Sequence, residues 1–247
     1  MTTASDKETV ADTEMDGVAE MPRRLIFGRR RGRKLTPLSA ERMDALLPRL
    51  ELPRADSPVQ FGKPVVATWL EIGFGVGDHL LAQAEAHPAV GIVGVEPFLN
   101  GVAKLVGVVA DKAEAGDEDL AHRIRLFTDD ARLLLKALPT ASIECAFVLF
   151  PDPWPKKRHQ WRRIVNPDTL ADLARVIRPG GELRLGTDVP DYGRAMLLHA
   201  LAEPRFRWLA ECAADWRRRP ADWPSSKYER KAVAAGRACL YFRFQRL

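Results

Sequence analysis

The stretch Val65-Val66-Ala67-Thr68-Trp69-Leu70-Glu71-Ile72-Gly73-Phe74-Gly75-Val76-Gly77-Asp78 decides the fold of this chain. Its apolar first half is typical of a buried strand, and residues 78–86 predict a helix. The glycines between the two let the backbone turn tightly and approach a ligand closely. A strand, a glycine-rich turn and a helix in this order indicate the first unit of an α/β sheet.

The rest of the chain repeats this alternation of apolar strands and helices. Further strands are predicted at 90–95, 123–128, 143–150, 182–186, 206–213 and 238–244, and further helices at 99–115, 131–138, 167–177 and 192–202. The alternation predicts an α/β fold with a mostly parallel sheet that helices cover on both faces. Ligands of such sheets bind at the carboxyl ends of the strands, near the point where the strand order reverses.

The 247 residues divide into three predicted segments. Residues 1–22 are acidic and poor in apolar side chains, so we expect a disordered tail. Residues 23–62 are expected to form a basic arm and a short helix with Ser39 at its N-cap, and prolines at 48–64 indicate a linker. Residues 63–247 are expected to form one α/β domain, because the hydrophobic content of 46% suffices for one sizeable core.

The glycine loop favours a cationic ligand over a phosphate. Its spacing places Asp78 where the dinucleotide-binding fingerprint needs a third glycine, and a carboxylate there would repel a pyrophosphate. Glu71 adds a second negative charge just before the glycines. S-adenosylmethionine carries a sulfonium and an ammonium group and fits this loop. A purely structural turn between strand and helix is the alternative.

Acidic residues recur at the ends of four successive predicted strands, as Glu71, Glu96, Asp130 and Asp152. Glu96 is placed to accept hydrogen bonds from two ribose hydroxyls. Asp130 is placed to accept from an adenine amino group, and a helix N-cap is an equally good interpretation. Asp152 stands between Pro151 and Pro153, which stiffen the backbone and hold the carboxylate in place.

The positive charge is concentrated in clusters, although the formal net charge is only +5. The clusters lie at 23–34, 156–163 and 217–219. Three separate basic clusters favour an anionic partner larger than one nucleotide, and ordinary solubilising charge is the alternative. A carboxylate beside a basic cluster at one strand end indicates chemistry on a nucleic acid.

Several classes of protein are disfavoured. Cys145, Cys212 and Cys239 are scattered and form no CxxC pair, so we expect reduced thiols in a cytoplasmic protein. We find no apolar stretch long enough to cross a membrane, and we expect no membrane partner. The histidines are dispersed without ligand spacing, and we expect no metal site.

A motif of high specificity begins at the end of the strand at 143–150. This motif, Phe150-Pro151-Asp152-Pro153-Trp154-Pro155-Lys156-Lys157-Arg158-His159, resembles that of the bacterial tRNA (guanine-N7-)-methyltransferases. Further matches are Glu71-Ile72-Gly73-Phe74-Gly75, Gly94-Val95-Glu96, Asp130-Ala131, Arg162-Arg163-Ile164-Val165, Gly186-Thr187-Asp188, Ser226-Lys227-Tyr228-Glu229-Arg230 and the arm Phe27-Gly28-Arg29-Arg30-Arg31-Gly32-Arg33. The similarity covers the chain from about Arg23 to its C-terminus.

The resemblance implies a class I S-adenosylmethionine-dependent methyltransferase, with a Rossmann-like seven-stranded sheet whose last strand is antiparallel. It implies methylation of guanine N7 in tRNA, usually at position 46 of the variable loop. Asp152 is our candidate catalytic residue. The implied cofactor-binding residues are Glu71, Gly73, Gly75, Glu96, Asp130 and Asp152. The implied substrate-binding residues are Lys156, Asp188, Ser226, Lys227, Tyr228 and Glu229.

Individual residues keep second interpretations. Asp188 also suits a turn or an N-cap, and Trp154 suits base stacking or packing, with packing slightly favoured. Ser226 to Glu229 are expected in a polar loop, where the family usually has Thr-Lys-Phe-Glu. Both changes keep the hydroxyl and the ring.

Two other functions share parts of the pattern. A nicotinamide-dependent oxidoreductase shares the glycine loop and the acidic strand tip, but Asp78 disfavours it. A non-catalytic RNA-binding module would explain the basic clusters and would leave the strand-end carboxylates unexplained. We expect a monomer or a homodimer.

Overall fold

The computed structural model describes residues 26–52 and 58–247. The predicted tail at 1–22 and the start of the basic arm lie outside the described residues. Residues 53–57 of the predicted linker also lie outside them. The division of the chain at residues 22 and 62 therefore stays a prediction.

The described part of the chain forms one seven-stranded sheet with the order β3-β2-β1-β4-β5-β7-β6. The strands are β1 Ala67–Ile72, β2 Val90–Val95, β3 Ile124–Phe127, β4 Ile143–Leu149, β5 Ile177–Thr187, β6 Phe206–Trp208 and β7 Leu240–Arg246. Pairing is parallel throughout except at β7, which is antiparallel to both β5 and β6. The predicted mostly parallel sheet with an antiparallel last strand is confirmed.

Helices connect the strands on both faces of this sheet. They are α1 Pro37–Leu50, α2 Asp78–Ala86, α3 Leu99–Glu114, α4 Asp119–Arg123, α5 Ala131–Ala137, α6 Pro167–Val176, α7 Pro190–Ala202, α8 Ala214–Arg217 and α9 Lys227–Ala234, with a 3₁₀ helix at Lys157–Arg162. None of the helices in the described residues is long and apolar enough to span a bilayer.

Successive strand residues point to opposite faces of the sheet and pack into a separate hydrophobic layer on each face. On one face, Val93 and Val148 pack with buried residues of α5, α6 and α7. On the other face, Ile92 packs with α1, α2 and α3, and Phe147 packs near α9. Burying a side chain of this size contributes roughly 1.5–3 kcal/mol, so both layers hold the sheet edge rigidly.

The strand order reverses on either side of β1. β2 continues from one edge of β1, and the chain returns to the other edge with β4. The helices leaving β1 and β4 therefore diverge and leave a crevice at the carboxyl ends of these strands. This is the place where the glycine loop and the strand-end carboxylates meet.

Two local predictions, for the helix in the arm and for the strand at 206–213, were wrong in their bounds. The helix in the arm begins after Thr36, whose hydroxyl accepts from the amide of Ser39, and it runs through Pro48 to Leu50. The predicted strand at 206–213 keeps only three residues before α8. The amphipathic face of α1 explains the first difference, because Met43, Leu46 and Leu50 are buried against α3.

The segment Ser226–Glu229 was predicted as a polar loop and is the start of a helix. Ser226 is the N-cap of α9, and its hydroxyl accepts from the amide of Glu229 at 3.1 Å. A serine followed three residues later by a glutamate is a capping signal. The consequence is functional, since the first turn of α9 is rigid and faces the crevice.

Candidate active site

The crevice at the carboxyl ends of β1, β2 and β4 is a cavity of about 470 Å³. This volume lies within the usual range for small-molecule sites, about 300–1,000 Å³. Its lining includes the predicted residues Gly73, Gly75, Glu96, Asp130, Asp152, Lys227 and Tyr228. The sheet topology thus gathers residues from five separate segments into one site.

The glycine loop forms the floor of the cavity. Gly73 has φ +79° and Gly75 has φ +61°, both in the left-handed region that other residues avoid. A Cβ at Gly73 would meet nothing within 4 Å, whereas one at Gly75 would come within 2.9 Å of the Tyr228 ring. The loop backbone is therefore open to a ligand at Gly73 and covered by Tyr228 at Gly75.

Glu96 holds the wall of the cavity beside the loop. Its carboxylate accepts from the amide of Gly75 at 2.8 Å and from the amide of Phe98 at 2.9 Å. Burial raises the pKa of Glu96, the two backbone hydrogen bonds oppose this, and the nearby charges of Asp152 and Glu71 raise it further. A carboxylate has about four acceptor positions, so Glu96 keeps capacity for two hydroxyls of a ligand.

Asp152 lies on a strained turn directly after β4. Phe150 before it and Trp154 after it have φ values of +51° and +44°, which bulky residues rarely adopt. Such strain costs of order 1–3 kcal/mol per residue and persists where the surroundings enforce it. The Asp152 side chain is exposed and has no hydrogen bond or ion pair within residues 26–52 and 58–247.

Tyr228 faces the two carboxylates across the cavity. Burial, and then the charges of Glu96 and Asp152, raise the pKa of its phenol, which stays neutral at ordinary pH. The ring is still 49% exposed. It therefore offers both an aromatic surface and a hydroxyl to whatever enters the cavity.

Comparison with known proteins places this site in a family. A family profile described as "Putative methyltransferase" matches residues 66–241. A tRNA (guanine-N(7)-)-methyltransferase of Rhodospirillum rubrum is 46% identical over 229 residues, covering 90% of this chain and 87% of the relative. A protein of the same name from Ruegeria pomeroyi is 44% identical, covering 92% of this chain and 97% of the relative. The chain belongs to the tRNA (guanine-N7-)-methyltransferase family.

A solved structure supports the fold. The structure described as "Structure of an Antibiotic Related Methyltransferase" has a TM-score of 0.50 with 13% sequence identity. The match covers 79% of this chain and 99% of that chain. The class I methyltransferase fold implied by the family resemblance is therefore confirmed.

Two of the predicted cofactor residues, Asp130 and Glu71, lie beside basic side chains of the protein. Asp130 caps α5 by accepting from the amide of Arg132 at 3.0 Å, and the Arg132 guanidinium lies 3.2 Å from the same carboxylate. Glu71 is buried beneath the glycine loop, where it is 2.8 Å from Nδ1 of His79. The N-cap interpretation of Asp130 is confirmed, and Glu71 stands outside the residues that line the cavity.

The predicted substrate residues Asp188 and Glu229 are paired with cations. Asp188 lies 2.6 Å from Nε of Arg237. Glu229 is buried, accepts from the hydroxyl of Tyr241 at 2.6 Å and lies 3.1 Å from Nε of Arg219. Neither carboxylate lines the cavity, and their predicted contacts with substrate stay predictions.

The basic run after Asp152 divides into two groups. Lys156, Lys157 and Arg158 are exposed at the start of the 3₁₀ helix and are open to a polyanion. Arg162 instead lies over the Trp154 ring at 4.9 Å, and Arg163 is buried. The prediction that all of these cations suit a polyanion was wrong for Arg163, because helix α7 and the turn cover it.

The basic arm contributes a part of the site that sequence reasoning missed. Phe27 packs edge-on against Trp161 with ring centroids 4.8 Å apart, and it also contacts Trp154. A Cβ at Gly28 would lie 3.8 Å from Oδ2 of Asp152. The arm therefore lies across the cavity mouth. Trp154 packs against Phe27 and also lines the cavity, so both interpretations of this residue stay predictions. An aromatic residue inside a basic run was the available signal.

Hydrogen bonds to α3 hold the arm in place. The amide of Leu99 donates to the carbonyl of Arg30 at 2.9 Å. The side chain of Asn100 accepts from the amide of Gly32 at 2.6 Å and donates to the carbonyl of Arg33 at 2.7 Å. The described part of the arm is thus bonded to the start of α3.

Within residues 26–52 and 58–247, no group of three or more His, Cys, Asp or Glu side chains is placed to hold a metal ion.

Proposed function

We propose that this chain transfers the methyl group of S-adenosylmethionine to N7 of a guanine in tRNA, at position 46 of the variable loop. One observation carries the proposal. The cavity joins Glu96, Asp152 and Tyr228 over an open glycine loop, in a member of the tRNA (guanine-N7-)-methyltransferase family. Family membership favours methyl transfer over the nicotinamide and non-catalytic alternatives.

The residues of the cavity fit S-adenosylmethionine. The acceptor capacity of Glu96 suits the ribose hydroxyls, and the open backbone at Gly73 allows close approach. Asp130 lies at the neighbouring strand end, on the side expected for the adenine. When bound, the cofactor supplies a methyl group that is activated by a positively charged sulfur. Glu96 and Asp152 line the cavity and have no cationic partner within the described residues, so their carboxylates suit that positive charge.

Asp152 is the proposed catalytic residue. Guanine N7 has a free lone pair near neutral pH, so no general base is needed to create the nucleophile. A fixed carboxylate can accept from the N1–H and amino group of the guanine and orient its N7. It also stabilises the positive charge that develops on the purine during transfer. Rigid alignment of this kind supplies up to about 7–11 kcal/mol of a barrier in favourable cases.

The surface around the cavity suits folded RNA. Lys227 lines the cavity, and Lys156, Lys157 and Arg158 lie exposed on the segment after Asp152. Cations in this position neutralise phosphates and orient the RNA without reading its sequence. We place Lys156 and Lys227 on the tRNA backbone and Tyr228 against the guanine. We propose that the enzyme acts in the cytoplasm, where its tRNA substrate is found, and that it is a monomer or a homodimer.

The test is incubation of the purified chain with tRNA and methyl-labelled S-adenosylmethionine, followed by mapping of the modified base. We expect label at N7 of guanine 46. A transcript that carries adenine at that position is the matched control and should take up no label. Label on another base, or equal label in the control transcript, would contradict the proposed position. No label in any tRNA would contradict the function.

A further inference from the structure

Arg163 is the one cation at the end of the basic run that the fold removes from solvent. The residue is 5% exposed, whereas Trp161 two positions earlier is 61% exposed. A buried guanidinium is expensive to keep unless most of its donors have partners. The contacts of the Arg163 guanidinium therefore indicate the role of this residue.

The Arg163 side chain bonds to the turn that carries Asp152. Its Nε donates to the carbonyl of Pro153, the next residue after Asp152, at 2.8 Å. The neighbouring turn residues Phe150 and Trp154 hold left-handed φ values that cost of order 1–3 kcal/mol each. A strained turn needs contacts that enforce it, and Arg163 supplies one of them from inside the protein.

The same guanidinium is fixed from its other side by helix α7. Its Nη2 donates to Asp191 at 2.6 Å, and its central carbon lies 4.6 Å from the centre of the Tyr192 ring. The Tyr192 hydroxyl in turn accepts from the amide of Val165 at 3.1 Å. Arg163 therefore connects the turn after β4 to the start of the helix after β5.

We propose that Arg163 is a positioning residue for Asp152, holding the catalytic carboxylate through the carbonyl of Pro153, and that it makes no contact with RNA. The inference rests on the proposed function, because it assigns a role within that reaction. Arg suits this task better than Lys, since its planar fork donates to a carbonyl and a carboxylate at once.

The expected kinetic effect falls on the chemical step. A displacement of about 1 Å in a catalytic group lowers the rate on the order of a hundredfold. We expect Arg163→Met to lower single-turnover methyl transfer about a hundredfold and Arg163→Lys about tenfold. The dissociation constants for tRNA and for S-adenosylhomocysteine should stay within about twofold of the wild-type values, because no contact with either ligand is lost.

The salt dependence of tRNA binding separates this role from an RNA contact. Each phosphate contact adds about 0.9 to the slope of log affinity against log salt for a duplex, and slightly less for single strands. Arg163→Met should leave the slope unchanged. Arg158→Met, which removes an exposed cation of the same run, should lower the slope by about 1.

Arg175 offers a control for a purely structural effect. It lies on α6, is partly buried, and donates to the carbonyls of Leu135 and Leu138 at 2.5 and 2.8 Å, away from the cavity. Arg175→Met should lower the melting temperature and leave the single-turnover rate unchanged. If Arg163→Met lowers the rate no more than Arg175→Met does, the positioning role is wrong.

Further outcomes also decide the matter. A lowered salt slope with a normal rate in Arg163→Met would make Arg163 an RNA contact and overturn the inference. If both Arg163 variants fail to fold, Asp191→Asn is the alternative. It weakens the contact between Asp191 and the Arg163 guanidinium and should lower the single-turnover rate about threefold. A wild-type rate in that variant would overturn the inference. Failure of the wild-type chain to methylate tRNA would instead remove the proposed function.

Discussion

Two regions along the carboxyl edge of the sheet carry acidic residues and use them differently. At the cavity edge, formed by the ends of β1, β2 and β4, Glu96 and Asp152 face open space and have no cationic partner within the described residues. At the arginine edge, formed by the end of β5 and the start of α9, Asp188 pairs with Arg237 and Glu229 pairs with Arg219. The same side-chain chemistry thus gives a binding surface in one region and cross-links between segments of the chain in the other.

The difference shows that a carboxylate at a strand end is more available to a ligand where no cation of the protein reaches it. A charge left beside a cavity attracts a cationic ligand and can stabilise a charge that develops there. A charge that is buried with an arginine instead fixes two segments relative to each other, and breaking such a pair is strongly destabilising. Four substitutions test this contrast.

The largest effect is expected at Asp152. Asp152→Ala should lower single-turnover methyl transfer by about 10²–10³-fold, because it removes the charge opposite the developing positive charge of the purine. The melting temperature should not change, because the side chain is exposed and unpaired within the described residues. The matched control is Asp44→Ala, which removes an exposed carboxylate on α1. Full activity of Asp152→Ala in a single turnover would refute the assignment.

A smaller effect is expected at Glu96, on binding. Glu96→Gln removes the charge and leaves one backbone amide facing an amide group, at a cost of about 1–3 kcal/mol. We expect the dissociation constant for S-adenosylhomocysteine, measured by calorimetry, to rise about ten- to a hundredfold. Unchanged affinity in this variant would remove Glu96 from the cofactor site.

The pH dependence of binding provides a second measurement on Glu96. Its folded-state pKa is raised above the ordinary 4.5, so the ionised carboxylate destabilises the ligand-free fold. The contribution of protonated Glu96 to the stability of the fold is fully present below pH 4.5 and is lost as the pH rises through the raised pKa of the folded state. The ligand hydroxyls donate to the ionised carboxylate. The affinity of the wild-type chain for S-adenosylhomocysteine should therefore fall as the pH is lowered, with a midpoint above 4.5. In Glu96→Gln the affinity should no longer depend on pH in this range.

At the arginine edge the expected effect is on stability. Glu229→Gln weakens the buried contacts with Tyr241 and Arg219, which we expect to cost about 2 kcal/mol. For a chain of this size each kcal/mol lowers the melting temperature by about 2–4 °C. The control is Glu85→Gln, which breaks an exposed ion pair with Lys112 and should change the melting temperature little. An unchanged melting temperature in Glu229→Gln, together with lost tRNA binding, would move Glu229 to the substrate site.

The smallest effect is expected in the arm that crosses the cavity edge. Phe27→Ala removes ring contacts with Trp161 and Arg162, which we expect to contribute about 1 kcal/mol. The dissociation constant for S-adenosylhomocysteine should rise about fivefold. Phe61→Ala removes a ring that an arginine also covers, but far from the cavity, and should leave this constant unchanged. Equal affinities in both variants would mean that the arm does not close the cofactor site.

Local signals in the sequence predicted the elements that build the cavity edge. Strands β1 and β2, helix α2 and the glycine loop all appear at or within two residues of their predicted bounds. Their patterns are strong because these strands are buried on both faces and each ends at a glycine or an acidic residue. The capping role of Asp130 was also readable, because it depends on residues two positions away.

The weaker predictions depended on contacts between distant parts of the chain. The segment 206–213 pairs with β7 over only three residues, although β7 continues to Leu240, and the chain then leaves the sheet edge and forms α8. Helix α1 continues past Pro48 to Leu50 because its apolar face is buried against α3. Neither partner can be identified from the local sequence.

The sequence by itself determined the sheet, the glycine loop and the acidic residues at the strand ends, because these follow from side-chain periodicity and local backbone chemistry. Only the tertiary structure decided which carboxylates remain open. It brought Arg237 to Asp188 and Arg219 to Glu229, buried Arg163 behind the Asp152 turn, and laid Phe27 over the cavity. Pairing between charges depends on distances of a few ångströms, and for residues far apart in the chain these distances are set by packing alone.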